Sequence, residues 1–169
     1  MTSSLDEIVD AMPEMRLARM GLTLPQVPAP VGNFDLGSIE GTTLYLSGQG
    51  PVLEDGALAT GKVGAEVGVE DANYHAHRAG LVLIAAMREL LGSLDHVVQV
   101  RRVFGMVNAA PGFEDHPAVL NGCSDLFCKV FGPRGRHART AVGMSSLPGN
   151  ITVEIEAVVS ILPGWSPKP

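Results

Sequence analysis

The chain has 169 residues and a mass of 17.7 kDa, the size of one domain with little room for a second. Apolar residues make up 46% and charged residues only 18%, which excludes wholesale disorder and leaves few charges to cover a small protein's surface, a sign of surface buried between subunits. A net charge of −6 at pH 7 argues against nucleic acid or an anionic membrane as a partner.

Residues 4–20 carry Leu5, Ile8, Val9, Met12, Met15 and Leu17 at a loose helical spacing, with Ser4 as a candidate N-cap. Pro25, Pro28 and Pro30 then break any helix. Residues 1–30 therefore read as an N-terminal extension with a Pro-rich linker, 31–163 as the body and 164–169 as a tail. The first residues have neither the basic start nor the apolar stretch of a signal peptide. The longest run without a polar side chain, Ala79–Met87, is far short of the roughly 20 residues of a bilayer crossing. The expectation is a cytoplasmic protein without a membrane partner.

In the body, Phe34–Ile39 and Thr42–Ser47 read as two strands joined through Glu40-Gly41. The stretch 54–68, with glycines at 56, 61, 64 and 68, reads as loop. Ala72, Ala76, Ala79, Leu83, Met87 and Leu90 recur at three and four, predicting a helix over 69–91 with Gly92 as its stop. Valine-rich 97–107 predicts a strand, and 109–115 a loop. A second helix spans 116–131, with Asp115 as candidate cap, Pro117 in the first turn and Gly132-Pro133 at its end. Strands near 138–144 and 151–162 flank a turn at Leu147-Pro148-Gly149-Asn150. The order β-β-α-β-α-β-β implies an α+β domain with helices on one face of a mixed sheet. In the last strand, Glu154 and Glu156 fall on the face away from the helices, which must meet water or another subunit.

No Gly-rich dinucleotide fingerprint, nucleophile elbow or P-loop is present, and no cofactor is expected. His75 and His77 lie two apart on a helix and point to different faces, which argues against a shared metal. Cys123 and Cys128 face apart by about 140° on a helix and read as packing residues. Arg134 and Arg136 read as solvated loop charges, whereas Arg139 enters a strand and needs an anionic partner. Two partners fit the chemistry equally: Glu154 or Glu156 on a neighbouring strand, or the carboxylate of a ligand taken by the guanidinium fork.

The segments Thr43–Pro51 (TLYLSGQGP), Leu91–Val97 (LGSLDHV), Val119–Gly122 (VLNG), His137–Val142 (HARTAV) and Leu147–Ala157 (LPGNITVEIEA) resemble, in order, the Rid (YjgF) family of reactive-intermediate imine deaminases, also labelled L-PSP endoribonucleases. The resemblance covers roughly 31–162 and implies a chorismate-mutase-like fold, two helices on one sheet face, and a homotrimer with ligand clefts between subunits. It implies that Arg139 clamps a substrate carboxylate and that Glu154 positions or activates the attacking water. It also implies that Ser47, Gly48, Phe34, Asn121 and Ala141 line the pocket. Ala141 stands where the deaminases carry a cysteine, and Phe34 where they carry a tyrosine, marking a divergent subgroup. The implied function is hydrolysis of small 2-imino or enamine acids, with a small carboxylate-bearing metabolite as partner. A non-catalytic carboxylate-binding module of the same fold is the alternative. RNA cleavage, which the second family label suggests, fits poorly with the acidic charge and 5% aromatics.

Overall fold

Alternation sets the two faces of the sheet. The computed structural model describes residues 12–164. In its last strand, β5 (Val153–Ile161), Val153, Ile155, Ala157, Val159 and Ile161 are buried, while Glu154, Glu156, Val158 and Ser160 between them are half-buried. The other strands are β1 (Gly37–Glu40), β2 (Thr43–Gln49), β3 (Val97–Asn108) and β4 (Ala138–Met144), in the order β1-β2-β5-β3-β4. All neighbours are antiparallel except β3 and β4, which are parallel and joined through a helix, as a parallel pair requires.

Three helices accompany the sheet: α1 (Pro13–Arg19), α2 (Val69–Leu91) and α3 (His116–Phe131). The unbroken run Ala79–Met87 is buried throughout, so α2 is enclosed on several sides and not merely laid on a surface. Gly92 ends it in the left-handed conformation, at φ 76°. Asp115 precedes α3 but makes no capping hydrogen bond through its side chain. Glycine sets how close α3 comes to its neighbours. A Cβ on Gly105 would lie 2.1 Å from Leu120 Cδ1, and one on Gly122 would lie 1.9 Å from the Asn73 carbonyl oxygen of α2.

Two local differences from the sequence reading have simple causes. The hairpin turn is Gly41-Thr42, one residue later than Glu40-Gly41, because its first central position has φ 58° and takes glycine. Phe34 and Asp35 precede β1 in a bend, which Ser47 ties down by donating its N–H to Leu36 O at 3.0 Å and its Oγ–H to Asp35 O at 2.6 Å.

The part of the predicted 4–20 helix before residue 12 lies outside the described residues. Residues 13–27 pack on the body: Leu17 is buried, and Leu22, Leu24 and Val27 rest against the core. Glu14 anchors this segment by accepting from Arg88 Nε at 3.1 Å, Arg88 Nη2 at 2.5 Å and Leu94 N at 2.9 Å. Burial alone would raise its carboxyl. The Arg88 and Leu94 hydrogen bonds and the Arg88 charge outweigh that and hold it below its ordinary value.

Candidate functional site

Arg139 sits on β4, an edge strand, opposite Val103 of β3, so its side chain leaves the sheet on the helix side. There it meets α3. Nη1 donates to Asn121 Oδ1 at 2.9 Å and to Ser124 Oγ at 3.0 Å, and Nη2 points at Pro117 O at 3.4 Å. All three partners are uncharged. Neither Glu154 nor Glu156 pairs with Arg139, because β3 lies between β4 and β5. The two hydrogens of Nη1 are used, whereas the Nε–H and Nη2–H edge keeps only the long contact to Pro117 among the described residues. That edge is the side-on fork a carboxylate accepts bidentately.

Ala141 follows two residues later on the same side, half-buried opposite Gly105. Arg139, Asn121 and Ala141 thus form one group at the β4–α3 rim. Behind them, Cys123 is fully buried, and burial pushes its thiol up to about 12 despite the charge of Arg139. Such a thiol is a packing group and no nucleophile.

Glu154 belongs to the opposite face. It pairs with Met106 and alternates with buried Val153 and Ile155. Burial, with Glu156 nearby on the same strand, raises its carboxyl above the ordinary range. Gly48 lies against it: a Cβ there would fall 2.3 Å from Glu154 Oε1. Ser47 and Phe34 line a hollow of about 370 Å³ on this face, together with Tyr45 and Glu156. Phe34 is half exposed there. Glu154, Gly48, Ser47 and Phe34 therefore make a second group, on the other side of the sheet from Arg139, with Glu154 two strands across and three residues along from it.

Three more residues belong to these groups, and the sequence reading assigns none of them to the pocket. Ser124 accepts from Arg139 and lies 3.0 Å from His137 Nε2, while His137 Nδ1 lies 2.6 Å from Gly135 O. Tyr45 shares the hollow with Phe34 and brings a phenol to it. The row Asn121, Ser124, Cys128 on α3 was the available signal for Ser124, and the alternation of β2 that for Tyr45. His137, before its strand in a basic loop, offers no periodic signal. Among the described residues no group of three or more His, Cys, Asp or Glu comes together to hold a metal ion. No helix among them is long and apolar enough to cross a membrane.

Comparison with known proteins places this arrangement. A family model described as "YjgF/chorismate_mutase-like, putative endoribonuclease" matches residues 14–157, which include every group above. The chain is 38% identical over 146 residues to Protein TCP17 of Trypanosoma cruzi, covering 86% of this chain and 91% of that protein. It is 29% identical over 141 residues to a 2-iminobutanoate/2-iminopropanoate deaminase of Dermatophagoides farinae, covering 83% and 94%. Among solved structures, the Agrobacterium tumefaciens protein Atu1372, of unknown function, superposes with a TM-score of 0.82 at 38% identity, over 95% of this chain and all of that one. The mixed sheet with its three helices is the YjgF/chorismate-mutase-like fold. With the family's match running across the sheet, both long helices and the Arg139 and Glu154 groups, this chain belongs to the YjgF/Rid family.

Proposed function

We propose that this protein hydrolyses small reactive 2-imino and enamine acids to 2-oxo acids and ammonium. The observation that carries the reading is the state of Arg139: its partners are neutral, and its carboxylate-binding edge is left to a ligand. On this reading the substrate carboxylate docks on that edge and presents its C=N carbon to water. Glu154 takes a proton from the water as it attacks, and returns one to nitrogen as the C–N bond breaks. A carboxyl raised by burial holds a proton more readily than an ordinary one, which favours its return to nitrogen. Backbone groups near Gly48 and Ala141 steady the tetrahedral intermediate. Imines hydrolyse readily, so positioning supplies most of what is needed and no cofactor enters.

Arg139 and Glu154 leave opposite faces of one sheet, so a cleft containing both takes one from each of two copies. That supports sites between subunits, and the resemblance to the family makes a cytoplasmic homotrimer the assembly proposed. The similarity to an imine deaminase across most of both chains supports the chemistry.

The test is a coupled assay. An amino-acid oxidase generates 2-iminopropanoate or 2-iminobutanoate, and semicarbazide traps whatever imine survives. Wild type is compared with Arg139→Ala after both are shown to share one oligomeric state. Loss of trapped imine with wild type alone is the expected result. Equal trapping with and without wild type would sink the reading and leave a binding module.

A further inference from the structure

Arg139 does not hold its own orientation. One of the two hydrogen bonds that its Nη1 donates goes to Ser124 Oγ, and a hydroxyl can turn either its hydrogen or a lone pair toward a neighbour. The neighbouring imidazole removes that freedom. His137 Nδ1 is 2.6 Å from Gly135 O, which only accepts, so Nδ1 carries a proton. The neutral ring then offers a lone pair at Nε2, 3.0 Å from Ser124 Oγ, and the hydroxyl donates there. Its own lone pairs are left facing the guanidinium. Donors and acceptors match along the whole chain, from the Gly135 carbonyl through His137 and Ser124 to Arg139 and Asn121.

Each link is held from behind. The 3₁₀ turn Gly132–Gly135 closes directly after α3 and delivers the Gly135 carbonyl. A Cβ on Gly135 would fall 2.1 Å from Phe127 O, so the turn is pressed against the helix. Phe127 packs edge-on to the imidazole, with centroids 6.0 Å apart and planes at 73°. Burial first, and the charge of Arg139 after it, hold His137 below its ordinary pKa against the opposing bond to Gly135, which favours the neutral ring this chain of bonds uses.

We propose that Ser124 and His137 are positioning residues, which fix the Arg139 guanidinium so that its Nε–Nη2 edge meets the substrate carboxylate. The proposal rests on the reading of Arg139 as the carboxylate clamp. Neither residue touches the reacting atoms. Their removal therefore acts on binding of the carboxylate, and a variant that preserves the acceptor preserves the effect.

Four variants test it: Ser124→Ala, Ser124→Thr, His137→Leu and His137→Gln. Threonine keeps the hydroxyl, and the glutamine Oε1 replaces Nε2 as acceptor for it. Two readouts are taken, KM against kcat for 2-iminobutanoate, and restricted rotation of the Arg139 guanidinium by ¹⁵N NMR. Ser124→Ala and His137→Leu are expected to raise KM about 10-fold with kcat within about 3-fold, the scale of one hydrogen bond, and to free the rotation. Ser124→Thr and His137→Gln are expected to keep KM within about 3-fold of wild type and to keep the rotation hindered. A guanidinium hindered equally in Ser124→Ala and wild type overturns the proposal, as does His137→Gln failing as badly as His137→Leu. The NMR arm needs no turnover. If wild type hydrolyses no imine, the proposed function falls, while the rotation still decides the role of Ser124 and His137.

Discussion

Gly48 illustrates how much one missing side chain decides. Its backbone lies where the Glu154 carboxyl must rest, and a Cβ would come 2.3 Å from Oε1. The clashing atom is the far end of a flexible side chain, so the fold can yield by swinging the carboxylate away. Gly48→Ala is therefore expected to change stability by less than about 1 kcal/mol while displacing the group proposed to move protons. Its kcat for imine hydrolysis should fall on the order of 100-fold. A melting curve beside the coupled assay checks both; a variant with full activity would remove Glu154 from the mechanism. The same carboxyl has a pH signature. Because burial and Glu156 raise it, the folded chain binds its proton more tightly than the unfolded chain does. The stability it contributes is full below the carboxyl's ordinary value of 4.5 and is lost as pH rises through the higher folded value. Melting temperatures from pH 4 to 8 should show Glu154→Gln gaining on wild type as pH rises, then running parallel.

At the scale of elements, close approach does what single contacts cannot. The α2–α3 crossing is set by Gly122, where a Cβ would meet the Asn73 carbonyl at 1.9 Å, and backbone cannot swing aside. Gly122→Ala should cost about 2–3 kcal/mol by forcing the helices apart, read as a lower denaturation midpoint at unchanged slope. Glu14→Ala should release α1 by removing three hydrogen bonds, about 1–2 kcal/mol given the partial exposure of the Arg88 pair. A Glu14→Ala chain melting like wild type would mean that the other contacts of the segment, Leu17, Leu22, Leu24 and Val27 among them, hold it without the carboxylate. Both long helices and the alternation of β5 were legible in the sequence because burial writes periods of 3.6 and 2 into residues such as Ala72, Ala76, Val153 and Ile155. Arg139 was singled out by chemistry and resemblance together, and Glu154 as the group acting on water by resemblance alone. What stayed hidden depends on neighbours far along the chain. That β3 separates β4 from β5 is a matter of topology, and no pattern within residues 138–161 announces it. The His137–Ser124 contact depends on where a 3₁₀ turn leaves its last carbonyl, which composition does not show.

For the whole molecule, the decisive fact is that, among the described residues, the sheet has one face under helices and one without. Val158, Phe104 and Met106 line the uncovered face beside half-exposed Tyr45, an apolar surface that a second copy would cover. Arg139 and Glu154 are divided between these two faces. If each cleft draws Arg139 from one copy and Glu154 from the next, two inactive proteins can repair each other. Arg139→Ala and Glu154→Gln subunits are each expected to be inactive when unmixed. Mixed at equal amounts under conditions that allow exchange, random assortment gives roughly a quarter of the clefts both native groups, and activity should return toward that fraction. Val158→Asp, which places a charge in the uncovered face, should yield monomers by sedimentation and abolish the recovery. If the mixture stays inactive although mass spectrometry shows mixed oligomers, the two groups do not share a cleft. Glu154 would then have to act on its own face beside Gly48, away from Arg139.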